Sequence, residues 1–207
     1  MMKFILGTKA GMTQVFDENG VCHAATILKV SPAKVSQVKT KDKDGYVSVQ
    51  IASGTQKNHR VAKAQLGQFG SGAQFVREFR PRTGTTDSTE AFAKDASLDA
   101  SVFTPGDVIM VSAISKGKGF QGVVKRHGFR GGSRTHGQKH SEREPGSIGQ
   151  TGLMRVAKGT RMAGRMGSDL ITVKNLVVLQ VNPAENVLLV SGAVPGRKGT
   201  LVEVRGI

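Results

Sequence analysis

The residues with the most chemistry to offer lie between Ser115 and Gly167, a run of 53 that reads SKGKGFQGVVKRHGFRGGSRTHGQKHSEREPGSIGQTGLMRVAKGTRMAGRMG. Twelve are basic: Lys116, Lys118, Lys125, Arg126, Arg130, Arg134, Lys139, Arg143, Arg155, Lys158, Arg161 and Arg165. Only Glu142 and Glu144 oppose them, so the run holds +10 of the +15 carried by the 207-residue chain. An arginine fork grips a phosphate through two parallel hydrogen bonds, and a lysine meets it as a point charge. Thirteen glycines in the run let backbone N–H groups come close to such a phosphate. His127, His136 and His140 lie among the cations and can donate to phosphates or stack on bases. These fifteen side chains are the candidate nucleic-acid contacts.

Other chemistries fit less well. Gly117-Lys118-Gly119-Phe120-Gln121-Gly122 matches the GxGxxG of nucleotide-binding loops. No βαβ pattern surrounds it, no acidic residue stands at the ribose distance, and thirteen glycines make such a match easy by chance. His136 and His140 stand four apart, but Gly137 lies between them and no cysteine or further ligand is near. No paired carboxylates or nucleophile–base constellation stands out, so no catalytic residue, metal or cofactor is expected, and no enzyme. A membrane surface would call for an amphipathic helix with large apolar residues, which the glycines and Pro145 oppose. Folded RNA, with its crevices, suits a glycine-rich cationic filament better than regular duplex DNA does.

A segment with so few apolar side chains cannot build much core, so the flanking sequence must position it. Val108–Ile114 is an apolar strand that runs straight into it, and Leu170–Val181 is a β-branched strand that takes the chain back. Further strands are read at Met12–Phe16, Val21–Val30, Ala33–Thr40, Tyr46–Ile51, Phe75–Arg80, Val187–Val190 and Leu201–Val204. Asn19-Gly20 marks a hairpin turn, and Lys41–Gly45 a charged one. Short helices are expected over Lys57–Gly67 and at Ser97–Phe103, with a polar loop at Thr83–Ser88. Short strands at such spacing predict a mainly β fold, an antiparallel barrel or sandwich. The expected organisation is a globular β domain of residues 1–116 and 167–207, with a small helical insertion near 57–103. Residues 117–166 form a long irregular loop inserted between strands. Holding both ends of the loop lowers the entropy cost of ordering it on a partner.

A pI near 10.4 demands a polyanionic partner. Cys22, the one cysteine, is expected to be a small buried thiol. No run approaches the ~18 apolar residues of a membrane span, and Phe4-Ile5-Leu6 is too short for a secretory core. The chain is read as cytoplasmic, with no membrane partner. On the residues alone, a general nucleic-acid binder remains the alternative to a dedicated RNA protein.

Four stretches carry a resemblance: Phe4–Phe16 (FILGTKAGMTQVF), Lys118–Val123 (KGFQGV), His136–Gly152 (HGQKHSEREPGSIGQTG) and Lys158-Gly159 with Met162-Ala163-Gly164. Together they resemble the bacterial large-ribosomal-subunit protein three family, nearly end to end. The resemblance implies a β-barrel of the translation-protein type, short helices and a long basic extension threading large-subunit ribosomal RNA toward the peptidyl transferase centre. It implies binding early in subunit assembly, and a supporting, non-catalytic role around that centre for the tip near Ser141–Arg155. It also implies neighbouring ribosomal proteins, fourteen and nineteen among them, and a glutamine methyltransferase that modifies the tip at N5. Gln150 matches that glutamine.

Overall fold

The computed structural model describes residues 2–69, 72–81 and 92–207. In chain order its strands are β1 (Phe4–Phe16), β2 (Cys22–Val30), β3 (Ala33–Lys39), β4 (Ser48–Thr55), β5 (Ala73–Phe79), β6 (Ser97–Leu98), β7 (Val108–Ile114), β8 (Gly119–Gln121), β9 (Gly164–Met166), β10 (Leu170–Asn182), β11 (Val187–Ser191) and β12 (Leu201–Gly206). Three short helices accompany them: α1 (Lys41–Asp44), α2 (Lys63–Phe69) and α3 (Val123–His127). The chain is mainly β, and it divides into two units, residues 1–114 with 170–207 and residues 115–169.

In the first unit six strands close into a ring in the order β1-β12-β7-β10-β11-β2, every pair antiparallel. Each ring strand sends alternate side chains inward, as the period of two requires. Ile5, Leu28, Ile109, Val111, Val178, Leu188, Val190, Val202 and Val204 meet there, all at most 1 % exposed. A ring also leaves no open edge along these strands, which removes a template for unwanted pairing.

The remaining strands of this unit form a separate four-stranded sheet, β5-β4-β3-β6. Its apolar face (Val35, Val49, Ile51, Phe79) packs with Phe4 and Leu6 of β1. Phe4 stacks on Phe79 with ring centroids 4.5 Å apart. Strand β1 is thus covered on both sides, Ile5 facing one core and Phe4 and Leu6 the other. Burial on two faces is why Phe4-Ile5-Leu6 is an unbroken apolar run.

Several expectations are corrected here. The span 57–103 is not a helical insertion: it contributes α2, but also β5 and β6, which complete the second sheet. The 97–103 segment splits into β6 and a single 3-10 turn, Ala100–Val102. Lys41–Asp44 is a helical turn closed by Gly45 in the left-handed conformation (φ 77°). Cys22 is exposed, because the β1–β2 pairing runs out to Phe16 and Cys22, beyond the strands that cover its other end. The expected loop at Thr83–Ser88 lies outside the described residues.

The chain leaves the first unit at Ile114 and re-enters at Leu170, and these two residues face each other in the β7–β10 ladder. The strands on either side of the intervening 115–169 segment are therefore adjacent in the ring.

Candidate nucleic-acid interface

Within residues 115–169 the regular structure is slight. Strands β8 and β9 pair antiparallel, with Gly119 opposite Met166, Phe120 opposite Arg165 and Gln121 opposite Gly164. Below them the Ser115 N–H donates to the Asp169 carbonyl (2.9 Å) and the Lys118 N–H to the Met166 carbonyl (2.9 Å). The GxGxxG stretch thus forms an antiparallel strand and the entry to α3, without the parallel βαβ frame of a nucleotide site.

Helix α3 places Lys125, Arg126 and His127 in its last turn, where cations face the negative end of the peptide dipoles. Gly128 (φ 72°) then turns the chain. Two of these side chains reach far along the sequence. Arg126 Nη1 donates to the Met162 carbonyl at 2.7 Å, and His127 Nε2 lies 3.1 Å from the same oxygen. Gly164 permits this, since a Cβ there would lie 2.7 Å from Arg126 Nη1. Arg126 and His127 consequently tie the two arms of the segment together, and both are half-buried.

The other thirteen candidates are exposed: Lys116, Lys118, Lys125, Arg130, Arg134, His136, Lys139, His140, Arg143, Arg155, Lys158, Arg161 and Arg165. Arg134 lies 3.6 Å from Glu142 across a loop that the Gly132 N–H closes by donating to the Glu142 carbonyl (3.0 Å). His136 (φ 57°) and Gly137 (φ 79°) form a left-handed turn at the far side of this loop. The helical i, i+4 relation of His136 and His140 is therefore absent. Arg165 shares a face of the β8–β9 pair with Phe120, which is 76 % exposed. A cation beside a bare aromatic ring suits a nucleobase and its phosphate.

Electrostatics and packing point the same way. Among the described residues, Val123 is the one buried apolar side chain of this unit. Phe120, Ile148, Leu153, Met154, Val156 and Met162 are all exposed. The surface is cationic and apolar by turns, with almost no interior. Such a surface can neutralise phosphates and fill crevices, and it presents no catalytic constellation.

A model of the family described as ribosomal protein L3 matches residues 46–187. The chain belongs to the ribosomal protein L3 family. Curated relatives agree along the whole length. The large ribosomal subunit protein uL3 of Acidothermus cellulolyticus is 45% identical over 205 residues, which cover 99% of this chain and 92% of that protein. Those of Roseiflexus and Mycobacterium avium are 48% identical over 209 residues and 47% over 206, covering 99% and 98% of this chain and 97% and 95% of theirs. The L3 family is structural and non-enzymatic, and these relatives are bacterial. The span matched by the L3 model includes all of residues 115–169.

Gln150 is exposed, in a turn where its carbonyl accepts the Leu153 N–H (3.4 Å) and the preceding Ser147 hydroxyl donates to the Gly149 carbonyl (2.9 Å). Sequence reasoning missed the tie from Arg126 and His127 to Met162, since nothing local signals a partner 35 residues away. It also passed over the acids. Glu142 and Glu144 interrupt a cationic run; Glu142 pairs with Arg134, and Glu144 lines a cleft.

Proposed function

We propose that this protein is a structural constituent of the large ribosomal subunit that binds large-subunit ribosomal RNA directly. The observation that carries the proposal is a unit of 55 residues with thirteen exposed cationic or histidine side chains and a single buried apolar one. Burial of its own surface cannot specify its shape, so a polyanion with a complementary surface completes it. On this reading the six-stranded ring is a translation-protein-type barrel and acts as the anchor. Residues 117–166 are the RNA-penetrating extension, whose Lys and Arg neutralise phosphates. The protein joins the subunit early in assembly and supports the region around the peptidyl transferase centre through packing, without catalysis. Its setting is the ribosome in the cytoplasm, with ribosomal proteins fourteen and nineteen as neighbours. Gln150, exposed in a turn, is the substrate of a glutamine methyltransferase.

Salt-dependent binding to a large-subunit ribosomal RNA transcript tests this, with transfer RNA and duplex DNA as competitors. If about 6–10 cations neutralise phosphates, affinity falls ~10³–10⁵-fold between roughly 50 and 200 mM salt. Preference for the ribosomal transcript is the expected result. Equal competition by every polyanion would favour a general nucleic-acid binder instead.

A further inference from the structure

The carboxylates of the basic unit work against phosphate binding, and one of them faces a cleft. The Glu144 carboxylate is exposed and, unlike Glu142, has no ion-pair or hydrogen-bond partner among the described residues. Left beside phosphates it would repel them, so a productive place for it requires hydrogen-bond donors on the RNA. It lines a cleft of about 460 Å³ together with Phe129, Arg130, Gln138, Ser141 and Pro145. That volume lies within the roughly 300–1,000 Å³ of small-ligand sites.

The cleft is built by close backbone approach. Gly131 (φ 77°) has no room for a side chain, because a Cβ there would fall 2.0 Å from the Glu142 carbonyl oxygen. Gln138 Nε2 packs against Gly132, 3.0 Å from where its Cβ would stand. Phe129 is half-buried, its ring held 5.9 Å from that of His127. Arg130 is exposed and has no side-chain partner among the described residues.

We propose that this cleft captures one unstacked guanine of the bound RNA. The inference rests on the RNA-binding function proposed above and goes beyond it to a base identity. Guanine offers two adjacent donors, N1–H and the N2 amino group, which a carboxylate accepts together. Its other edge, O6 and N7, is the acceptor pair that arginine recognises. A cleft wall with Glu144 and Arg130 can serve both edges, while Phe129 supplies an aromatic surface for the base plane. Adenine and cytosine each offer one amino donor beside a ring acceptor, N1 or N3, that repels the second carboxylate oxygen. Uracil offers N3–H alone between two carbonyl acceptors. The carboxylate that weakens general phosphate attraction thereby becomes a source of selectivity, since a wrong base leaves it unpaired.

The test uses the full chain and eight-residue uridine RNAs carrying a single central guanine, inosine, adenine or uracil, with affinity read by fluorescence anisotropy at fixed salt. The guanine octamer is expected to bind at least about fivefold more tightly than the adenine or all-uridine ones. Inosine, which lacks the N2 amino group, should fall between. Glu144→Gln should abolish the preference and leave the all-uridine affinity equal or slightly raised, since a repulsive charge is gone. Because Glu144 is exposed and unpartnered, this substitution does not threaten the fold. Arg130→Gln should weaken every octamer, guanine most. Equal affinity for guanine and adenine octamers overturns the proposal, as does a guanine preference that survives in Glu144→Gln. If all octamers bind alike with a steep salt dependence, the RNA-binding function stands and the guanine cleft fails. If neither octamers nor the ribosomal transcript bind, both fail.

Discussion

The two units of this chain solve opposite problems. Fourteen buried apolar residues form the core of the ring, eleven from its six strands and Ala100, Phe103 and Val194 from segments outside them, whereas residues 115–169 bury Val123 alone. The first unit is held by removal of apolar surface from water, worth ~1.5–3 kcal/mol for each large side chain. The second is held by backbone turns, the β8–β9 pair and polar ties such as Arg126 and His127 to Met162, each net worth ~0.5–1.5 kcal/mol. Stability in the ring therefore comes from within, and the basic unit has almost no core of its own to fix its shape. If the protein fits another molecule's crevices, as proposed, a self-sufficient core would compete with that partner for the same apolar side chains.

Substitutions can break or sharpen this contrast. The largest effect is expected in the ring: Leu188→Ala, at a fully buried site, should cost ~2–5 kcal/mol in urea unfolding. Val123→Ala should leave that global transition nearly unmoved. Equal destabilisation by the two would mean that the units fold as one, and the contrast would collapse.

Next in size, Arg143→Glu with Arg155→Glu should leave thermal unfolding unchanged and lower RNA affinity. The log–log salt slope should become shallower by about 0.7–0.9 for each phosphate that is no longer neutralised. An unchanged slope would remove these two exposed arginines from the interface. Smaller again, Gly131→Ala should speed hydrogen exchange at the Gly132 amide, which the Glu142 carbonyl protects, without shifting the ring's unfolding midpoint.

The fourth test asks how far polar ties matter in the first unit. Lys39 Nζ donates to Glu78 Oε1 (2.5 Å) and to the Tyr46 hydroxyl (2.8 Å), and Tyr46 donates to Glu78 Oε2 (2.9 Å). The lysine beside it, chiefly, holds the Glu78 carboxyl below the ordinary carboxylate range. The hydrogen bond to Glu78, then that to Tyr46, raises the Lys39 pKa above the ordinary lysine value. A depressed acid stabilises the fold above its unfolded pKa, and that contribution is lost as pH falls through the folded value. A raised base stabilises below its unfolded pKa, and its contribution is lost as pH rises through the folded value. Glu78→Gln should therefore destabilise the fold steadily across neutral pH. Its deficit against the parent should fade in acid as Glu78 itself protonates, and in strong alkali as Lys39 loses its proton. A deficit independent of pH would assign the effect to shape instead of charge. Smallest of all, Cys22→Ala should change stability by less than about 0.5 kcal/mol, because the thiol is exposed.

Legibility followed the range of the forces involved. Strand β7 was readable to its last residue, and β10 and β11 to within one or two, because alternation and β-branching are local properties of the chain. The cationic side chains proposed to face RNA were readable as charges, since charge needs no partner to be counted, and thirteen of the fifteen candidates are exposed. Arg126 and His127 are half-buried against the Met162 carbonyl, a tie for which nearby residues carry no signal. Within 57–103, β5 was legible as the strand read at Phe75–Arg80, but β6 was read as part of a helical turn: its two residues form a strand because β3 offers them an edge, and edges are visible only in three dimensions.

By itself, then, the sequence determined where strands can form, where the charge gathers and that the charged stretch has no core of its own. Those are sums over neighbouring residues. Tertiary structure decided which strands close the ring and which form the second sheet, and that β1 is buried on both faces. It also decided that Cys22 stays in water and that Glu142 answers Arg134 while Glu144 is left to face a cleft. Each of these depends on which distant segments meet and in what register, and a one-residue shift would turn every side chain to the other face.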